Sequence, residues 1–335
     1  MLIERSYTVP EFLMWTRRSI YVLIVLGTVP VLLYEVAGLH FLQLPFAIIF
    51  LLGTTVALSA GFKNLQTYGR MQEAQVLWAS IGSASRTWGA SCRDLVPDAF
   101  AAKALIHRHL AWLAALRHEL RKHKPWEQSD KPYFQEWKKF YTVPEHAQSL
   151  TFELSRYLVA DEAAQVLEAR NPPWQVLALQ GAEAKRLLEA GAIPASAFAE
   201  LQRATREFGE LQGKVERIKN YPYPRQFAFI HSLFVKILCV LLPFGMISEL
   251  ERLNAVVGDW AAGYMVWLAI PLSVVVSWMY VSLDQVGEST ENPFEGGAND
   301  VPITRICEEV ERDLREMLGE IGLPAPSQLE RGIAM

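Results

Sequence analysis

Apolar residues along this chain gather into four long runs, and polar residues fill the space between the second and the third. The runs extend roughly from Ile20 to Val36, from Phe41 to Phe62, from Phe227 to Ile247 and from Trp260 to Leu283. A helix rising ~1.5 Å per residue needs about 20 apolar residues to cross ~30 Å of hydrocarbon, so the pattern predicts four membrane helices in two hairpins. The second run passes into Gly61-Phe62-Lys63-Asn64-Leu65-Gln66-Thr67-Tyr68-Gly69-Arg70 without a turn signal. A helix that leaves the bilayer and continues into water has two halves with different needs, as a pore-lining helix does.

The middle of the chain reads as helices. Leu105, Leu110, Leu113, Leu116 and Leu120 recur near helical spacing, as do apolar residues over Ala182 to Leu188 and Ala197 to Ile218. Pro97, Pro125, Pro132, Pro144, Pro172-Pro173, Pro194 and Pro222-Tyr223-Pro224 punctuate them, and no alternating strand pattern competes. Pro30, Pro243 and Pro271 are expected to interrupt membrane helices. The tail from Pro324 to Met335 is expected to be mobile.

Composition strengthens the membrane reading: 51% of residues are hydrophobic, there are ten tryptophans, and mean hydropathy is +0.12. Charged residues concentrate between about 63 and 225, so the expected fold is an all-α membrane protein whose four transmembrane helices are continuous with a cytoplasmic helical bundle. Domain limits are placed at 1–62, 63–225, 226–284 and 285–335. Arg17-Arg18 before the first run could suggest a signal peptide, but no small-residue cleavage site closes it. Arg17, Arg18, Lys63, Arg70 and Arg225 flank one side, while Tyr34 to Gln43 and Ser248 to Asp259 are poor in positive charge. Both termini and the middle are therefore assigned to the cytoplasm, with the chain multi-pass in the inner (plasma) membrane. Trp15, Tyr34, Trp260, Trp267, Trp278 and Tyr280 are candidates for interfacial belts.

A net charge of −4 is too small to suggest a polyanionic partner, and no nucleic-acid partner is expected. Cys92, Cys239 and Cys307 lack the spacing of a zinc site or a disulfide framework. There is no Gly-x-Ser-x-Gly, phosphate-cradling loop or His-Glu-x-x-His, so neither an enzyme nor a cofactor is expected. His107 and His109, two apart, point to different helix faces and make a poor metal pair. Arg70 and Glu73 are spaced for an ion pair. Lys236, well inside the third run, is a functional candidate by default; it either pairs with Glu249 or another carboxylate of a neighbouring span, or faces a water-filled vestibule.

The second span carries two stripes. Gly53, Ala57 and Gly61 form a small-xxx-small series suited to close helix packing. Thr54, Leu58 and Phe62 form a neighbouring stripe about 100° away, which either points along a shared axis or faces lipid or core.

Gly61-Phe62-Lys63-Asn64, then Tyr68-x-Arg70-x-x-Glu73-Ala74 and Leu77-Trp78, resembles the signature of the bestrophin family, particularly its bacterial members. Leu242-Pro243-Phe244, Asp284, Glu291-Asn292-Pro293-Phe294, Asn299-Asp300 and Pro302 resemble the bestrophin C-terminal block. The resemblance runs to about Leu318 and implies a homopentamer around a central pore that passively conducts monovalent ions. Chloride is favoured, with a monovalent cation as the alternative and a membrane-anchored helical sensor as the alternative of another class.

Carried onto this sequence, the hydrophobic neck falls on Thr54, Leu58 and Phe62. Large apolar residues are usual at all three positions, so small, hydroxylated Thr54 implies a wider and wetter ring there. Leu58 and Phe62 are the gate candidates, because a narrow apolar ring empties of water and closes to ions without a moving plug. The cytoplasmic aperture, anchored on Glu189-Ala190-Gly191, falls on Ser196 with Ala195 beside it; Ser196 as a helix cap is the alternative. Calcium-binding members hold the ion beside Asn-Pro-Phe, and Asn292 and Asp300 are kept here, but Glu295-Gly296-Gly297-Ala298 stands where those members have aspartates. That donor set is thin for a cation wanting six to eight oxygens, and the favoured reading has Asn299 or Asp300 capping a helix with Pro302 in its first turn.

Overall fold

Prolines and small polar residues set where most helices begin. A computed structural model describes residues 1–3, 6–254, 256, 263–323, 325 and 329–335. Among these the chain is helical, with two isolated bridges, Leu2 to Ile333 and Glu330 to Ile333, and no sheet. Helix α1 (Val9–Glu35) follows Thr8, whose N–H and hydroxyl donate to Glu11. Helix α2 (Phe46–Leu95) starts after Pro45, and α3 (Ala99–Arg121) is capped by Asp98 accepting from Phe100 N. The short helices α4 (Pro132–Lys138) and α5 (Pro144–Ala147) open on proline, α6 (Leu150–Ser155) on Ser149, and α7 (Ala160–Glu168) follows Val159. Helix α8 (Pro172–Glu189) has Asn171 as its cap, and α9 (Ala195–Asn220) follows Pro194. Last come α10 (Arg225–Asn254), α11 (Ala269–Ser289) and α12 (Ile303–Met317). Proline suits a first turn because its φ is preset and its missing N–H would have no helical partner there.

Four helices, α1, α2, α10 and α11, are long and apolar enough to cross a membrane. Two begin later than their apolar runs: His40–Leu42 and Met265–Leu268 form 3₁₀ turns, so α2 starts at Phe46 and α11 at Ala269. Asp259 and Trp260 lie outside the described residues. Pro30 and Pro243 sit inside unbroken α1 and α10, and Pro271 falls in the first turn of α11, so none ends a helix as expected.

The chain divides into a four-helix unit, Tyr7–Gly69 with Tyr223–Glu291, and a larger unit, Met1–Ser6 with Arg70–Pro222 and Asn292–Met335. Helix α2 contributes to both. Leu23, Ile49, Val56, Val235, Leu238, Cys239 and Leu242 form the main core of the four-helix unit. Its helices approach closely at Gly27, where an added Cβ would lie 3.0 Å from Ser273 Oγ. Trp278 Nε1 donates to Thr16 Oγ1 at 2.9 Å and Tyr280 OH to Gly53 O at 3.1 Å, so these two belt candidates are bonded between helices of the unit.

In the larger unit the second half of α2 buries Ala74, Trp78, Ile81, Trp88 and Cys92 in one core with α3, α8, α9 and α12. His109 stacks 4.4 Å from Phe208 and shares a 2.8 Å hydrogen bond with Ser85, and burial lowers its pKa to about 3. Arg117 of α3 bonds Glu145 (2.5 Å) and Glu153 (2.6 Å), tying α5 and α6 to the bundle. The tail expected to be mobile does not hang free where it is described: Ile333 and Met335 are buried beside Tyr141 and Val143, and Arg305 N donates to Met335 O.

Candidate functional site

Helix α2 has two opposite faces in the four-helix unit. Ile49, Gly53, Val56, Ala60, Lys63 and Thr67 are buried, their alternating four and three spacings keeping them on one side. Leu51, Thr54, Leu58, Phe62 and Leu65 lie about 180° round the helix. All five are exposed in the single chain, Leu58 at 64% and Phe62 at 59% against 0% for Val56. Thr54 Oγ1 donates to Leu51 O at 2.8 Å, so the helix itself occupies the hydroxyl proton. Of the small stripe only Gly53 packs inside the chain, where an added Cβ would meet Tyr280 and Leu238. Ala57 and Gly61 are exposed, and nothing lies within 4 Å of a Cβ built on Gly61.

At the polar end of this segment Lys63 is buried and bonds Asp284 at 2.5 Å. Ser232 Oγ donates to the other carboxylate oxygen (2.9 Å), and His231 Nε2 stands 3.6 Å from Asp284 while its Nδ1 meets Ser59 Oγ at 3.0 Å. The partners are 221 residues apart, so spacing could not pair them; the available signal was one cation and one carboxylate at the polar ends of two apolar runs. Lys236 is exposed on α10, and the expected pairing with Glu249 is not formed. Glu249 bonds Arg252 at 3.1 Å and lies some 20 Å along the same helix.

In the larger unit α9 starts at Ala195 with Pro194 as its cap. Ser196 is therefore inside the first turn and caps nothing; both it and Ala195 are exposed in the chain. Arg70 and Glu73 do not pair with each other: Arg70 donates to the carbonyls of Ile218 and Tyr221, and Glu73 pairs with Arg217. His107 faces Glu320 (3.2 Å), well apart in role from His109.

Asp300 does not cap a helix. Its Oδ2 accepts from Gly296 N at 2.6 Å and Gly297 N at 2.9 Å, folding the 292–300 loop onto itself, and Pro302 rather than Asp300 is the cap of α12. Gly296 has φ +90°, a conformation L side chains rarely adopt, and its carbonyl accepts from Tyr141 OH. Asn292 Nδ2 donates to Glu295 (3.3 Å), whose carboxyl burial, and then Asp300, push up to about 8. The Asp300 Oδ2 is committed to backbone N–H groups and stands 3.5 Å from the Arg121 guanidinium, so it is poorly placed to hold a calcium ion. Among the described residues no group of three or more His, Cys, Asp or Glu is placed to hold a metal.

The exposed face of α2, the buried Lys63–Asp284 pair and the glycine-turned loop before α12 coincide with a match over most of the chain. The family model described as Bacterial/Fungal Bestrophin protein covers residues 13–316. The chain belongs to the bestrophin family. It is 26% identical over 292 residues to the voltage-dependent anion channel-forming protein YneE of Salmonella typhi, covering 87% of this chain and 82% of that protein. The voltage-dependent anion channel-forming protein mll4386 of Mesorhizobium japonicum is 24% identical, with 81% and 74% covered. A crystal structure of a bacterial bestrophin homologue from Klebsiella pneumoniae superposes with TM-score 0.76 over 91% of this chain and 99% of that one, at 24% identity, and so shares its fold.

Proposed function

We propose that this bestrophin is an anion channel in which copies of α2 surround a central path, with Thr54, Leu58 and Phe62 forming its neck. The observation that carries the reading is the face of α2 opposite its packing face: large apolar side chains in register, with no helix among the described residues of their own chain over them. Relatives sharing over four-fifths of the chain are named anion channel-forming proteins. In the homopentamer that the family resemblance implies, Ala57 and Gly61 would let the neighbouring copy approach, and Leu58 and Phe62 would ring a constriction narrow enough to dewet. Thr54 makes the ring nearest the membrane interior the wettest. Ala195 and Ser196 line a wide second aperture in the cytoplasmic part, and Asn292 and Asp300 serve the loop rather than a calcium ion. The protein lies in the inner membrane, with both termini in the cytoplasm and lipid and permeant ions as its other partners.

The test is the reversal potential of purified protein in a planar bilayer under a potassium chloride gradient. Reversal on the chloride side is expected. Reversal on the potassium side would replace the anion by a monovalent cation, and an intact oligomer that carries no current would leave the membrane-anchored sensor as the reading.

A further inference from the structure

Two polar side chains of α2 fasten it to its neighbours beside the proposed neck, and a histidine stands at one of the fastenings. Leu58 is followed by Ser59 and Phe62 by Lys63, so each large neck residue lies one position before a side chain that α2 sends to another helix. Ser59 Oγ shares a 3.0 Å hydrogen bond with His231 Nδ1 of α10, and Lys63 Nζ donates to Asp284 Oδ1 of α11 at 2.5 Å. Ser232 Oγ donates to the second oxygen of that carboxylate. Helix α11 comes close here: an added Cβ on Gly287 would stand 3.4 Å from Lys63 Cε, and Thr290 Oγ1 reaches Thr67 Oγ1 at 3.2 Å one turn further on.

His231 leaves this arrangement one contact short. It is buried, its Nε2 stands 3.6 Å from Asp284 Oδ1, and that nitrogen forms no hydrogen bond among the described residues. A neutral imidazole carries a single N–H and cannot donate to Ser59 and Asp284 together, whereas the imidazolium donates from both nitrogens. A charged N–H that meets a carboxylate closes to ~2.8 Å. One proton added to His231 therefore completes a bridge from Ser59 of α2 through the ring to Asp284 of α11, beside the one that Lys63 already makes. The charged groups that bear on the ring are Asp284 and Glu288 of α11 and Lys63 of α2; among the described residues α1, also packed on α10, brings none.

We propose that His231 is a proton-responsive positioning residue of the neck: its imidazolium ties Ser59 to Asp284, holds α2 in the arrangement that keeps Leu58 and Phe62 narrow, and lowers the current. The proposal rests on the neck reading and deepens it. Histidine changes charge between about pH 8 and pH 5. With the same pH on both sides of a planar bilayer, native current should fall roughly two-fold or more from pH 8 to pH 5.5, as protonation shifts the population toward the narrow arrangement. His231→Gln still offers an amide to Ser59 but takes up no proton, so its profile should be flat over this range. A purely structural role would lower the current of that variant by one factor at every pH, parallel to the native profile.

A native current that does not fall between the two pH values overturns the proposal, as does a His231→Gln profile parallel to the native one. If His231→Gln does not assemble, Ser59→Ala decides. Without the Ser59 hydroxyl the proton on His231 no longer acts on α2, so the profile should flatten, and an undiminished fall overturns the proposal. The neck reading is checked separately by Phe62→Ala at pH 8, where an unchanged current removes the neck whatever the pH profiles show.

Discussion

Lys63 and Asp284 show what a single residue can hold in place. Both charges are withdrawn from water, so removing one leaves the other buried and unpaired, which in such pairs costs about 3–5 kcal/mol. Lys63→Met is expected to lower the melting temperature of the detergent-solubilised protein sharply, and Lys63→Met with Asp284→Leu to recover most of the loss. Recovery that fails would mean the pair does more than neutralise itself. Glu295 makes a pH prediction. Its carboxyl is raised from an ordinary value near 4.5 to about 8, first by burial and then by Asp300 and Glu127. A raised acid stabilises the folded chain below the ordinary value, and that stability is lost as pH climbs through the folded one. Between pH 5 and pH 8 the melting temperature of the native protein should fall, and that of Glu295→Gln should fall less. Parallel slopes would contradict the assignment.

At the scale of elements, α2 is the piece on which the molecule is organised, because its 50 residues serve two units with different neighbours. In the larger unit Gly82 and Gly89, seven apart, admit Ile306, Val310 and Leu314 of α12 against the α2 backbone. A Cβ on Gly89 would collide with Leu314, so Gly89→Val should destabilise by about 1–3 kcal/mol, read as a lower melting temperature. An unchanged melt would show that Leu314 can swing aside. Helix starts were readable in the sequence wherever proline or an Asx cap punctuated the chain, as at Pro132, Asn171-Pro172 and Pro194. The start of α2 was not, because Phe41, Leu42 and Leu44 are as apolar as the helix that follows, so the apolar run continues across Gln43 and Pro45. The stripe Thr54-Leu58-Phe62 was visible as a stripe, but spacing could not say which side of α2 its own chain covers. Lys63 with Asp284, and Asp300 with the Gly296 and Gly297 amides, were hidden because each depends on how the backbone returns.

At the scale of the whole molecule, the Leu51, Leu58 and Phe62 face of α2 is left uncovered by the described residues of its own chain, and the proposed neck puts that face on a path shared among copies. The four-helix unit exposes Tyr21, Val25, Phe229, Leu272 and Met279 as well, as helices meant for lipid do. Phe62 therefore has to be separated by experiment from the lipid-facing residues it resembles in exposure. The most direct measurement is chloride current through planar bilayers at equal protein load for the native chain, Phe62→Ala and the control Val25→Ala, each with its oligomer shown intact. A current several times larger is expected for Phe62→Ala, because a smaller side chain widens and wets the ring, and no change for Val25→Ala. Equal currents from all three proteins would place Phe62 off the conduction path and contradict the neck.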